Sequence, residues 1–141
     1  MLDKTKSAAA LVEEWLDQFE SSLSHDNGDE LAKLFHPDSY WRDVLALSWT
    51  FNTFNGRDAI LAALAPLASR HASRDFCLAL GRTAPRTVMR AGTQCIEAIF
   101  AFETSEGRGS GVLRLIPDHE DDNTLKAWTL LTALDELKGH E

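Results

Sequence analysis

The apolar residues of this chain change their period about halfway along it, and that change decides most of what the chain can fold into. Up to about residue 71 they recur mostly every three or four positions, with short alternating stretches near 39–44 and 51–54; beyond Ser73 they alternate. A period near 3.6 marks the buried stripe of a helix, and a period of two marks one face of a strand. A chain that places helices first and strands afterwards builds an α+β domain, with the helices covering one face of a curved sheet. At 141 residues it is long enough to bury one core without disulfide or metal staples. A single domain over 1–141 is expected.

Ala8, Leu11, Val12, Trp15, Leu16, Phe19 and Leu23 form one stripe of a first helix over Ser7 to about Ser24, opposite Glu13, Glu14, Asp17 and Gln18. Ser7 or Thr5 can cap its start, and the turn His25-Asp26-Asn27-Gly28 ends it. A second helix is predicted from Asp29 to about Phe35, closed by Pro37, because a residue before proline is pushed out of the helical region. A third opens at Asp58 and runs to about His71, with Pro66 set to kink or split it.

Between the second and third helices, Ser39–Val44 alternates, with Trp41 and Asp43 on one face and Tyr40 and Arg42 on the other. Leu45–Trp49 reads as a helical turn or more strand, and Phe51–Phe54 as a short strand ending at the turn signal Asn55-Gly56. Later strands are expected at about 75–80, 86–91, 94–104, 110–117 and 125–135, the last three as an antiparallel meander. In the 94–104 strand, Gln94, Ile96, Ala98, Phe100 and Phe102 form the deeper face. The last strand has almost no polar face, so both its sides should be covered. A homodimer through the sheet face would do that.

Several function classes are excluded by composition and motif. With 22 acidic against 14 basic side chains the formal charge is −8, which disfavours nucleic acid. No apolar run approaches the roughly 20 residues that span a bilayer, and the N-terminal residues do not read as a signal peptide, so a cytoplasmic protein is expected. Cys77 and Cys95 lack metal-ligand or C-x-x-C spacing and read as two buried free thiols. The five histidines show no H-x-x-x-H or H-E-x-x-H spacing, so no metal site is expected. The run Gly107-Arg108-Gly109-Ser110-Gly111 lies between strands and lacks G-x-G-x-x-G spacing, which makes it a hairpin turn rather than a phosphate cradle. No nucleophile elbow is present, which leaves acid–base chemistry or binding.

Asp43 is the residue that raises the question of chemistry. A carboxylate within Tyr40-Trp41-Arg42-Asp43-Val44-Leu45 needs a partner, water, or a raised pKa. In a cavity it would serve as a general base; capping a turn or pairing with Arg42 would make it structural. Parity puts Arg42 on the opposite face, unless a bulge intervenes.

The long helix, the phrase "GDELAKLFHPDSYWRD", the short strand ending "FNGRDAI" and the closing meander together resemble the NTF2-like superfamily, in particular its SnoaL-like members, over nearly the whole chain. The resemblance implies a cystatin-like cone: three N-terminal helices on a strongly curved, mostly antiparallel sheet around a deep pocket, often dimeric. "YWRDVLALSWTFNTFNGRDAI" with "AWTLLTALDELKGHE" is similar to the N-terminal NTF2-like region of predicted flavin-dependent monooxygenases. In those proteins the flavin and NAD(P) modules follow the segment matched by residues 136–141, so no cofactor is expected within this chain, which carries no dinucleotide fingerprint.

Among the small enzymes of the superfamily, ketosteroid isomerases place their base where Asp43 falls. They also use a Tyr on the first helix and a protonated Asp on the sheet, where this chain has Trp15 and Phe19, and Leu113 and Leu115. An Asp–His pair like that of scytalone dehydratases would need His71 or His36 to face the pocket.

Three functions follow as expectations. The first is a small-molecule-binding domain, accessory to a flavoprotein partner or module, with an apolar pocket lined by Trp15, Phe19, Tyr40, Trp41, Trp49, Phe51, Phe100 and Trp128. The second is an isomerase, dehydratase or cyclase of polyketide- or steroid-like substrates, with Asp43 as general base and Tyr40 or Trp128 as hydrogen-bond donor. The third is a dimerisation module whose cone is filled by its own side chains.

Overall fold

Helix α1, Ala8–Ser24, starts where Ser7 Oγ accepts the Ala10 amide at 3.1 Å. In the computed structural model, which describes residues 6–25, 27–44, 46 and 51–137 and only the backbone of 51, 136 and 137, α1 buries Val12, Trp15, Leu16 and Phe19 along one stripe. Helix α2 covers Gly28–Ala32, with Asn27 Oδ1 accepting the Glu30 amide at 3.1 Å. Helix α3, Arg57–Arg70, is continuous: Pro66 sits within it on the exposed side and does not split it.

The strands are β1 (Phe35–Val44), β2 (Phe51–Asn55), β3 (Arg74–Leu78), β4 (Arg86–Arg90), β5 (Thr93–Glu103), β6 (Gly107–Asp118) and β7 (Thr124–Leu137). They form one sheet in the order β2-β1-β7-β6-β5-β3, with β4 sharing β5's outer edge beside β3. All pairs are antiparallel except β1 with β7. Among the described residues no helix is long and apolar enough to cross a membrane.

The aromatic core lies between the helices and the inner face of the sheet. Trp15 stacks on Phe19 at 4.8 Å, Phe19 meets Phe76 edge-on at 5.1 Å, and Phe76 stacks on Phe102 at 5.2 Å. Such pairs add to the stabilisation that burying the rings already gives. The Trp15 indole donates to the Leu34 carbonyl at 3.0 Å, so its one polar atom is satisfied. Glu20 Oε1 accepts the Phe76 amide at 2.8 Å and ties α1 to an edge strand. An edge closed in this way is a poor template for further pairing.

Three expectations from sequence are corrected. Helix α2 stops at Ala32, and Phe35 and Pro37 belong to β1 rather than to a helix and its stop. Proline is tolerated there because the register between β1 and β7 shifts between Phe35 and Tyr40, so its missing N–H removes no ladder bond. Cys77 is exposed, not buried: Phe76 takes the inward position, and parity turns Cys77 outward opposite Ala101. Cys95 is buried as expected, and burial raises its thiol pKa.

The third correction concerns the run Gly107–Gly111, which is strand and not turn. The chain reverses instead over Thr104–Glu106, where the Gly107 and Glu106 amides donate to Thr104 Oγ1. Gly109 and Gly111 occupy buried positions opposite Phe102 and Phe100. A Cβ on Gly111 would run into the Leu131 carbonyl and the Phe100 ring, and one on Gly109 into the Phe102 ring and the Ala133 carbonyl. The glycines therefore leave the space that the two phenylalanine rings fill.

Candidate functional site

Strand β1 alternates cleanly after its irregular start, so Trp41 and Asp43 point inward with no exposed surface while Tyr40 and Arg42 point outward. Register sets Asp43 beside Asn52 of β2 and Thr132 of β7, and continues across β6 to Gly111. The Thr132 hydroxyl donates to Asp43 Oδ1 at 2.5 Å, and the Trp41 indole donates to Thr132 Oγ1 at 2.9 Å. Phe54 stacks on the Trp41 ring at 4.7 Å. A buried carboxylate, hydroxyl and indole thus form one relay on the inner face, with Phe54 stacked against its indole.

The residues expected from sequence divide into several groups. Trp15, Phe19 and Phe100 are packed into the core, with Trp15 and Phe19 stacked on each other and Phe100 against Phe76 and Phe102. Trp41 and Asp43 are brought together through Thr132. Tyr40 is on the opposite face of the sheet from Asp43 and does not serve as its donor. Trp128 is half-buried, the extra residue of a bulge where Arg114 faces Thr129 and Leu115 faces Ala127. Trp49 and the Phe51 side chain lie outside the described residues.

Sequence reasoning missed Thr132 as the hub of the relay. The only signal was a threonine within the otherwise apolar Leu130-Leu131-Thr132-Ala133-Leu134. His71, one of the two histidines able to pair with a pocket acid, instead caps α3 and meets Glu106 at 2.7 Å. Burial raises the pKa of Glu106, but the hydrogen bonds from His71 and Ser105 outweigh it and leave that pKa low. Lys126, also buried, contacts Asp118 at 3.0 Å and Asp121 at 2.9 Å. Desolvation pulls its pKa down, and the two carboxylates more than reverse that. The first contact ties the end of α3 to the β5–β6 turn, and the second closes the β6–β7 turn. Among the described residues no three or more His, Cys, Asp or Glu side chains gather as a metal site.

The outer face carries a second constellation. Glu97 on β5 accepts both arms of the Arg90 fork at 3.0 Å and Arg114 Nε at 2.8 Å, with Arg86 at 3.9 Å. Beside it, a groove of about 570 Å³ is lined by Tyr40, Arg42, Val44, Val112, Arg114 and Leu131, among others. The Arg90 hydrogen bonds, then those of Arg114, hold Glu97 below the usual carboxylate range despite its desolvation.

A folded-state pKa below the unfolded one adds stability above the ordinary Glu value of about 4.3, and that stability is lost as pH falls through the folded value. Urea midpoints are therefore expected to drop faster between about pH 5 and about pH 3 in the wild type than in Glu97→Gln. Parallel curves would show that the arginine cluster does not stabilise the fold.

No family model matches the chain, and no curated protein matches it in sequence. Solved structures do match in fold. An NTF2-like protein with a cystatin-like fold from Novosphingobium aromaticivorans aligns with a TM-score of 0.57 at 15% identity, over 95% of this chain and 91% of that one. An NTF2-like superfamily protein from Salmonella enterica aligns at 0.61 and 11%, over 96% of both chains. A Catenulispora acidiphila protein in complex with S-DNPA aligns at 0.61 and 16%, over 89% of this chain and 92% of that one. The chain has the NTF2-like, cystatin-like α+β fold, with three helices on a curved sheet.

Proposed function

We propose that this chain is a small-molecule-binding domain of the SnoaL-like kind, accessory to a flavin-dependent monooxygenase, and that the Asp43–Thr132–Trp41 relay receives the polar end of a mostly apolar ligand. The observation that carries this reading is the relay itself. A carboxylate with no exposed surface costs several kcal/mol of desolvation, and apolar side chains of similar volume would stabilise a core as well or better. A polar group kept on a buried, mostly apolar face is suited to orienting a ligand. The monooxygenase association rests on the sequence likeness running from Tyr40 to Ile60 and from Ala127 onward.

Thermal-shift measurements against planar hydroxylated aromatics and steroid-like compounds test the binding. A compound that raises the wild-type melting temperature is expected to do so far less for Asp43→Asn. Equal shifts for the two proteins would count against the relay as a ligand site. For the monooxygenase association, a flavin module is expected to be fused to this domain or encoded beside it.

General-base catalysis by Asp43 is the second reading, supported by its buried position on the strand after α2. That reading lacks the electrophilic partners that ketosteroid isomerases place on the first helix and on the sheet. Leu113 and Leu115 are fully buried leucines, and the Trp15 indole is already bonded to the Leu34 carbonyl. Without a donor for the developing oxyanion the largest catalytic term is missing.

A further inference from the structure

We propose that the groove on the outer face of the sheet, opposite the face that carries the Asp43 relay, is a binding site for an aryl carboxylate. Its floor is apolar: Leu131 of β7 lies between Val112 of β6 and Arg42 of β1 in one cross-strand row, with Val44 in the next. Its walls are cationic. Arg42 and Arg114 stand on strands either side of β7, and Tyr40 rises at the rim with 47% of its surface exposed. A volume of about 570 Å³ falls within the range of small-molecule pockets.

Charge selects the occupant. The chain is acidic overall at −8, yet on this face Arg86, Arg90 and Arg114 gather around Glu97, and Arg42 stands across the groove from Arg114. Arg42 is exposed and makes no hydrogen bond or ion pair among the described residues. A guanidinium fork presents parallel N–H donors to a carboxylate, and an aromatic ring can lie on the aliphatic floor and against Tyr40. A second copy of the chain is the competing occupant. In a two-fold interface centred on the groove, this arginine cluster would face its own image, and like charges brought together disfavour association.

Calorimetric titration of the whole chain with 2-naphthoate and with the uncharged 2-naphthalenemethanol tests the site. Naphthoate is expected to bind, the alcohol at least about tenfold more weakly, and Arg42→Gln to weaken naphthoate by about tenfold, the usual loss for one charge-assisted hydrogen bond. Val112→Glu, which puts a carboxylate on the floor, is expected to abolish binding with the circular dichroism spectrum unchanged. Naphthoate should shift the side-chain N–H resonance of Arg42 and the methyl resonances of Val112 and Leu131. No naphthoate binding, equal affinity for the two probes, or indifference to Arg42→Gln would overturn the proposal. So would shifts centred on the Trp41 indole N–H and the Thr132 methyl, or a dimer that Val112→Glu dissociates.

Discussion

Gly111→Val is expected to leave the protein largely unfolded, with a cost on the order of 4 kcal/mol or more, a large part of the stability of an ordinary domain. The reason is the partner that the new side chain would meet. A Cβ on Gly111 collides first with the Leu131 carbonyl, a backbone atom of the neighbouring strand, and only then with the Phe100 ring. Neither strand can retreat without breaking the β6–β7 ladder that carries Thr132. At Gly109 the first collision is with the ring of Phe102, a side chain that substitution can shorten, and the Ala133 carbonyl is met less closely than the Leu131 carbonyl at Gly111.

The two positions therefore differ in how they can be rescued. Gly109→Ala is expected to recover part of its loss when combined with Phe102→Leu, whereas Gly111→Ala gains little from Phe100→Leu. Urea denaturation of the four single and two double variants reads this directly. Equal rescue at both positions would mean that the backbone contact at Gly111 is not the controlling one.

Thr132→Val is expected to cost about 2 kcal/mol, although it changes the side-chain volume very little. Its hydroxyl donates to Asp43 and accepts from the Trp41 indole. Valine removes a donor from one buried group and an acceptor from another, and it is the unmatched groups that cost free energy. Thr132→Ser keeps both bonds and loses one methyl, so about 1 kcal/mol or less is expected. Asp43→Ala is expected to cost about 3 kcal/mol, since it opens a void and strips Thr132 of its acceptor. If Thr132→Val unfolds at the same urea concentration as the wild type, the relay does not contribute to the fold.

Much of the site was legible because strand parity is local. The pattern Tyr40-Trp41-Arg42-Asp43 was enough to put Trp41 and Asp43 on one face, and the structure keeps them there, side by side and fully buried. What Asp43 touches was not legible. Its partner Thr132 is 89 residues away and meets it only because β1 and β7 lie parallel in register, a pairing that no local pattern encodes. The glycine run misled for the same reason. Glycine between two strands ordinarily signals a turn, but Gly109 and Gly111 are small because Phe102 and Phe100 approach from the adjacent strand.

By itself, the sequence determined the order of helices and strands, which face of each is apolar, and hence an α+β domain with helices on one side of a sheet. These are matters of period, set by residues within a few positions of one another. Only the tertiary structure decided that Trp15, Phe19 and Phe100 pack with other rings into the core, that Tyr40 and Arg42 share an outer groove with Arg114, and that Asp43 is held by Thr132 and, through it, by Trp41. Each of these depends on strand order and register. Register follows from how distant segments bury their faces together, and a shift of one residue in a strand would turn that strand's side chains to the other side of the sheet.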